Sequence, residues 1–369
     1  MGIIFSSFNG LEPRLRFPSF DNKWTLTTIG NVCAFTNGKA HEQNVVEYGE
    51  YIIVNSKFIS SDGVVKKYSN KQICPLFKND IVMVMSDVPN GKAMSKCFCI
   101  DKDNKYTLNQ RICALRTKQI PLYYMMQINR NDYFMKFDDG VKQTNLRKDD
   151  VLACPVYSTT IKEQTKIADF LSLIDQRIEK QRRLVESLKK YKRGALSRVF
   201  NDVLETVKLS DISNFISSAR TLSTTLNGNK GIYPVYDAAG IAGYIDYYDI
   251  DSDYITIVKD GSGVGRLQKC DKKSSFIGTL GALVAKNCTT DFLYAVLQTI
   301  DFSKFVTGMA IPHIYYRDYK STLLPFPSEE KQHFISQLLK KFDIYIENET
   351  QKLTNMLAYK QGLLQQMFI

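Results

Sequence analysis

The sequence predicts an α+β protein in which two mixed α/β modules are separated by two long antiparallel coiled-coil helices, with an internal pseudo-two-fold repeat. Three observations predict it: a helical block written twice at a fixed distance, a heptad rhythm shared by both copies, and paired markers ahead of each block.

The block at 164–200 recurs at 332–368, an offset of 168 that needs no gap. Gln164, Ile167, Leu171, Asp175, Ile178, Glu179, Tyr191, Lys192, Gly194, Leu196 and Phe200 match Gln332, Ile335, Leu339, Asp343, Ile346, Glu347, Tyr359, Lys360, Gly362, Leu364 and Phe368 in order. Self-similarity at a fixed period marks a duplicated structural unit.

Spacings of four and three run through Ile167, Leu171, Ile174, Ile178, Gln181, Val185, Leu188, Lys192, Ala195 and Val199. The same slots of the second copy hold Ile335, Leu339, Phe342, Ile346, Glu349, Leu353, Met356, Lys360, Leu363 and Met367. An apolar residue every 3.5 positions is the seam of a coiled coil. Matching polar members, Gln181 with Glu349 and Lys192 with Lys360, lower stability and set register and partner.

Looser markers pair the segments before the helices: Ile29–Phe35 with Leu209–Phe215, Gly49–Tyr51 with Gly231–Tyr233, and Leu122–Gln127 with Leu293–Gln298. Gly140, Leu146 and Asp150 answer to Gly308, Ile314 and Asp318. The residues between diverge, which suggests one architecture with two targets. Phe20 precedes Ile29 by the nine residues that separate Phe200 from Leu209. The N-terminal segment therefore resumes where the last helix stops, and the termini are expected to be neighbours. The expected domains are 1–158 (first module with a short N-terminal segment), 159–200 (spacer helix), 201–327 (second module) and 328–369 (second spacer helix).

Within the modules, β-rich runs bounded by turn residues predict strands at Tyr51–Val54, Ile81–Met85, Cys97–Ile100 and Ile112–Leu115. The second module offers Tyr254–Val258, Ser275–Ile277 and Ala282–Val284. Leu122–Arg130 and Asp291–Ile300 read as helices.

Composition bounds the function. The 369 residues are 44% apolar and carry 21 Tyr and 21 Phe, enough for more than one core. No apolar run is long enough to cross a bilayer, and the start lacks the pattern of a signal peptide, so a cytoplasmic protein without membrane contact is expected. Gly2 with Ser6 fits a short myristoylation pattern that carries little weight. The eight cysteines are dispersed apart from Cys97 and Cys99, and the three histidines are scattered, so buried thiols are expected and no metal site. The net charge of +11 sits in the first half: residues 1–200 hold 32 Lys/Arg against 20 Asp/Glu, and residues 201–369 hold 17 against 18. A basic half points to a polyanion such as nucleic acid.

Polar loops at corresponding places supply the candidate contacts. In the first module they are Asn55, Lys57, Ser86, Asn90, Lys92, Asn109, Gln110, Arg111, Gln143, Asn145 and Arg147. In the second they are Lys259, Ser262, Arg266, His313, Tyr315 and Arg317. Asn, Gln and Arg can make two hydrogen bonds to a purine edge in the major groove, while Lys and Ser suit phosphate. Enzyme motifs are missing. There is no phosphate-binding loop ending in Gly-Lys-Ser/Thr, and Gly261–Gly265 reads as a hairpin or flexible loop. The amino-methyltransferase tetrapeptide, a metal-dependent nuclease pattern and a hydrolase nucleophile elbow are also absent. No catalytic residues are assigned.

The arrangement resembles the specificity subunit of type I restriction–modification systems along almost the whole chain. The resemblance rests on Leu15–Phe20 (LRFPSF) with Trp24, and on Glu163, Gln164, Ile167, Leu171, Asp175, Ile178, Tyr191–Gly194 (YKRG) and Phe200. It rests equally on Pro325–Pro327 (PFP), Glu330–Gln332 (EKQ), Tyr359–Leu364 (YKQGLL) and Phe368. Lys331 departs from the family's usual start of the second block. The resemblance implies that the modules are target-recognition domains, each reading one half of a bipartite site in double-stranded DNA. It implies that the helices set their separation and bind methyltransferase subunits, typically two, and that restriction subunits join the full complex. S-adenosylmethionine, ATP and Mg²⁺ would then belong to those partners, with no cofactor on this non-catalytic chain. The residues read alone leave open a duplicated coiled-coil adaptor for proteins, which explains the seams but neither the basic half nor the polar loops.

Overall fold

A computed structural model describes residues 13–87, 93–137, 144–217, 231–261, 263–308 and 311–368. The chain divides into two compact units, Met1–Lys180 with Lys352–Ile369, and Gln181–Gln351. Two helices dominate, Ile161–Asn201 and Glu329–Met367.

In the first unit, the strands Cys33–Asn37, Ile112–Thr117, Ile81–Val84 and Cys97–Cys99 form one antiparallel sheet, in that spatial order. A second sheet joins Val45–Val46, Tyr68–Ser69, Tyr51–Val54 and Tyr106–Leu108, the last two running parallel. Ile81–Val84 is buried on both faces, because alternate side chains enter two separate clusters. Ile81 and Met83 join the cluster that holds Trp24, Tyr123 and Phe134; Val82 and Val84 join the one that holds Phe58 and Leu76.

The second unit repeats this order with Ser213–Ile216, Leu280–Ala285, Tyr254–Val258 and Leu267–Cys270. Its second sheet joins Ile241–Ile245, Tyr233–Tyr236 and Ser275–Phe276, again with a parallel pair. The expected strands Tyr51–Val54 and Tyr254–Val258 have the predicted bounds, and the others shift by one or two residues at their ends. The strands Leu267–Cys270 and Ile241–Ile245 had no expectation, since their mixed residues show no period.

The helices Pro121–Ile128 and Thr290–Leu297 correct one expected marker. Sequence likeness pairs Leu122 with Leu293, an offset of 171. The burial patterns coincide at 169, with Tyr123, Tyr124, Met126, Gln127 and Ile128 answering to Phe292, Leu293, Ala295, Val296 and Leu297. Packing confirms the shift: Tyr123 lies 5.3 Å from Phe368 and Phe292 lies 6.3 Å from Phe200, ring centre to ring centre.

None of the twenty seam positions is exposed. In the first unit, Ile167 and Leu171 share a core with Leu363, Met367 and Phe368, and Lys360 pairs with Asp175. In the second unit, Leu196 and Phe200 share a core with Ile335 and Leu339, and Lys192 donates to Asp343 at 2.6 Å. Rising numbers on one helix meet falling numbers on the other in each unit, so the pairing is antiparallel. Leu15 donates its amide to the carbonyl of Gln366 at 3.0 Å, and Trp24 lies 6.3 Å from Phe368. The N-terminal segment thus meets the end of the last helix as expected.

Candidate nucleic-acid interface

The site of the first unit forms where parallel strands end. Tyr51–Val54 leads into Asn55 and Tyr106–Leu108 leads into Asn109, and because Val54 pairs with Leu108 the two asparagines follow neighbouring strand ends. The amide of Asn109 donates to Val54 at 3.1 Å, and Met85 donates to the carbonyl of Arg111 at 2.9 Å. These bonds hold the Asn109–Arg111 turn against the end of the central strand, where Ser86 sits. Arg111 has a φ of 67°, a left-handed conformation uncommon for a side chain of its size. Gly38 backs the turn: a Cβ there would lie 1.8 Å from the Asn109 carbonyl oxygen.

The result is a groove of about 440 Å³ lined by Glu42, Asn55, Ser56, Lys57, Lys67, Ser86, Asn109, Gln110, Arg111 and Ile112. It brings together six residues that the sequence nominates: Asn55, Lys57, Ser86, Asn109, Gln110 and Arg111. The side-chain oxygen of Asn55 caps the helix Ser56–Ser60 by accepting from Phe58 at 2.9 Å, so its amide group faces a local structural task as well. Gln110 donates to Glu42. The side-chain oxygen of Asn109 is shielded from solvent and has no hydrogen-bond partner among the described residues. An unmet acceptor of this kind is costly unless a ligand or water fills it.

Asn145 pairs with Ser86 across a short two-stranded ladder, and Arg147 is exposed at the start of the helix Lys148–Leu152. Asn90, Lys92, Gln143 and Ser262 lie outside the described residues. Lys67 and Glu42 line the groove without having been nominated, because only the pairing of the Tyr51–Val54 strand brings Lys67 there; Ile53 donates to its carbonyl at 2.8 Å.

The second unit repeats the backbone frame. Ile277 donates to Tyr236 at 3.0 Å, Lys259 to Thr279 at 2.9 Å, and Ile314 to Lys259 at 3.0 Å, as Leu146 donates to Met85 at 2.8 Å. These bonds equate Asn55, Asn109, Gln110 and Arg111 with Asp237, Ile277, Gly278 and Thr279. Polar groups gather instead along the returning segment. His313 exchanges two backbone hydrogen bonds with Thr307, its ring lies 5.0 Å from that of Tyr315, and the Arg317 guanidinium sits 4.7 Å above Tyr315. The Lys259 ammonium donates to Ser217 at 2.6 Å, and burial lowers its pKa against the opposing pull of Asp260. Arg266 donates to Ala238 at 3.1 Å.

A buried ionic hub anchors the first unit. Glu163 is fully buried and accepts from Arg16 at 2.7 and 2.9 Å, from Trp24 at 3.2 Å and from Thr159. Burial alone would raise its pKa, but the hydrogen bonds from Arg16 and its neighbours outweigh this and hold it below the usual carboxylate range. Thiol pKa values rise with burial, Cys33, Cys113 and Cys154 to about 12. Among the described residues, no group of three or more His, Cys, Asp or Glu could hold a metal ion, and no helix is long and apolar enough to cross a membrane.

Comparison with known proteins gives the geometry a family. Residues 21–189 and 201–357 match the type I restriction modification DNA specificity domain. A Mycoplasma pneumoniae protein named as a type I specificity subunit is 29% identical over 151 residues, which cover 39% of this chain and 49% of that protein. The specificity subunit of the Escherichia coli type I restriction enzyme EcoprrI is 27% identical over 115 residues, covering 30% of this chain and 28% of its own. The chain therefore spans half or less of these two relatives. The crystal structure of the type I restriction–modification S subunit from M. genitalium shares the fold, with a TM-score of 0.61 at 19% identity over 97% of this chain and 99% of that one. Two matched domains covering most of the sequence, on a duplicated frame with two long helices, show that the chain belongs to the type I restriction modification DNA specificity family.

Proposed function

We propose that the chain reads a bipartite DNA sequence for a type I restriction–modification complex, docking methyltransferase subunits, two in number, and through them restriction subunits. It carries no catalytic chemistry. In this reading S-adenosylmethionine, ATP and Mg²⁺ sit on the partners, and the complex works in the cytoplasm beside the DNA it marks.

The observation that carries the proposal is the first unit's groove, where carboxamides and cations converge from three segments far apart in sequence. The carboxamides of Asn109 and Gln110 at the groove suit an adenine edge, and Arg111 suits a guanine edge. Lys57 and Lys67 suit phosphate. In the second unit, Arg317, Tyr315 and His313 offer a stacked, cationic surface for a different half-site.

The test is duplex-DNA binding by the complex of this chain with its methyltransferase partner across a salt series. Affinity should fall steeply, with a slope set by the number of phosphates contacted. Binding that ignores salt, or no binding to DNA, would favour the protein adaptor.

A further inference from the structure

Gln181 and Glu349 occupy the same position of the repeat, 168 residues apart, and they meet each other. The Gln181 amide donates to the Glu349 carboxylate at 2.7 Å and to its main-chain carbonyl at 2.9 Å, and Glu349 is 5% exposed. On either side, Lys192 pairs with Asp343 and Lys360 pairs with Asp175. These two ion pairs are images of one another under the same offset, since Lys192 answers to Lys360 and Asp175 to Asp343.

This symmetry has a consequence for partner choice. If a long helix paired antiparallel with the same helix of a second copy, Lys192 would meet Asp175 of that copy and Lys360 would meet Asp343. Both ion pairs would survive. The apolar seam would change little where Ile167, Leu171 and Ile178 answer to Ile335, Leu339 and Ile346. The contact at 181/349 would not survive: one like pair sets two amides together, and the other sets two carboxylates together in a buried seam. A carboxylate accepting from an amide is a charge-assisted bond, stronger than a neutral one, whereas buried like charges repel.

We propose that the unlike Gln181–Glu349 pair makes each long helix select the other copy of the repeat over a second copy of itself. The pair would thereby keep two different modules in one subunit. If the proposed function holds, that keeps the DNA site asymmetric, but the selection itself needs no DNA.

The test refolds the full chain from denaturant at high concentration and measures the dimer fraction by sedimentation. Three forms are compared: wild type, Glu349→Gln, and the exchanged double variant Gln181→Glu with Glu349→Gln. With glutamine at both positions every pairing is equivalent at this site, so the dimer fraction of Glu349→Gln should rise roughly tenfold over wild type, the ratio that about 1.4 kcal/mol represents. The exchanged variant restores an unlike pair and should return to the wild-type fraction. Dimers that merely swap helices between chains make the same 181/349 contact as the monomer and contribute equally to all three. Equal fractions in all three forms, or an exchanged variant as dimeric as Glu349→Gln, would overturn the proposal. Should Glu349→Gln fail to refold, Gln181→Glu replaces it: it should lose thermal stability that the exchanged variant recovers, and no recovery counts against the pair.

Discussion

Where the first module sets Asn55, Asn109, Gln110 and Arg111, the second holds Asp237, Ile277, Gly278 and Thr279 on the same backbone hydrogen bonds. The frame is carried by amides and carbonyls at strand ends, which any residue can supply. Most of the side chains there project from turns at strand ends, with Ile277 packed against its unit's core, so most can change without unfolding the sheet. Two sites of different chemistry can therefore grow on one duplicated fold.

The comparison can be broken most severely in the cores. Phe368→Ala and Phe200→Ala remove equivalent rings, and each should cost about 3–5 kcal/mol in the unit that buries it. Hydrogen exchange resolved by peptide should show the first variant loosening residues 121–128 and the second loosening 290–297. Loss of protection in the wrong unit would break the equivalence.

A smaller difference separates the helix starts. Glu163→Gln leaves Arg16 without its carboxylate and should cost about 3 kcal/mol, whereas Lys331→Gln at the matching position should be nearly silent. Because Glu163 is held below its unfolded pKa, its contribution is complete above the ordinary carboxylate range and fades as pH falls through the lowered value. Thermal melts from pH 7 to pH 3 should therefore converge for wild type and Glu163→Gln.

Glycines sharpen the contrast further. Gly38→Ala drives a Cβ into the Asn109 carbonyl and should destabilise the first module by about 1–3 kcal/mol while displacing the Asn109–Arg111 turn. Gly278 has open space around its Cβ position, so Gly278→Ala should change stability by under about 0.5 kcal/mol. The smallest effect belongs to Lys57→Ala, which should lower the salt slope of DNA binding by about 1 and leave sequence preference unchanged.

Much of this fold was legible because its strongest signals are local. The heptad slots from Ile167 to Val199 and from Ile335 to Met367 recur in one continuous helix each, and burial follows them position by position. Strands such as Tyr51–Val54 announce themselves by apolar, β-branched runs. The marker at Leu122 slipped by two residues because a shared Leu-Tyr pair outweighed the pattern of buried positions. The groove was legible only as a set of residues. That Asn55 and Asn109 sit side by side depends on a parallel pairing of distant strands, and Lys67 reaches the site through that same sheet. Sequence spacing carries no trace of such contacts. The Arg16–Glu163 hub was marked only by the family resemblance, since nothing local tells a buried glutamate from a solvated one.

The most direct test of the central claim exchanges residues 21–160 for the same module of a related subunit and maps DNA methylation by the assembled complex. The account predicts a motif of two short specified parts around a fixed gap, in which the exchange alters one part and leaves the other part and the gap unchanged. A motif altered in both parts, or methylation with no bipartite motif, would contradict it.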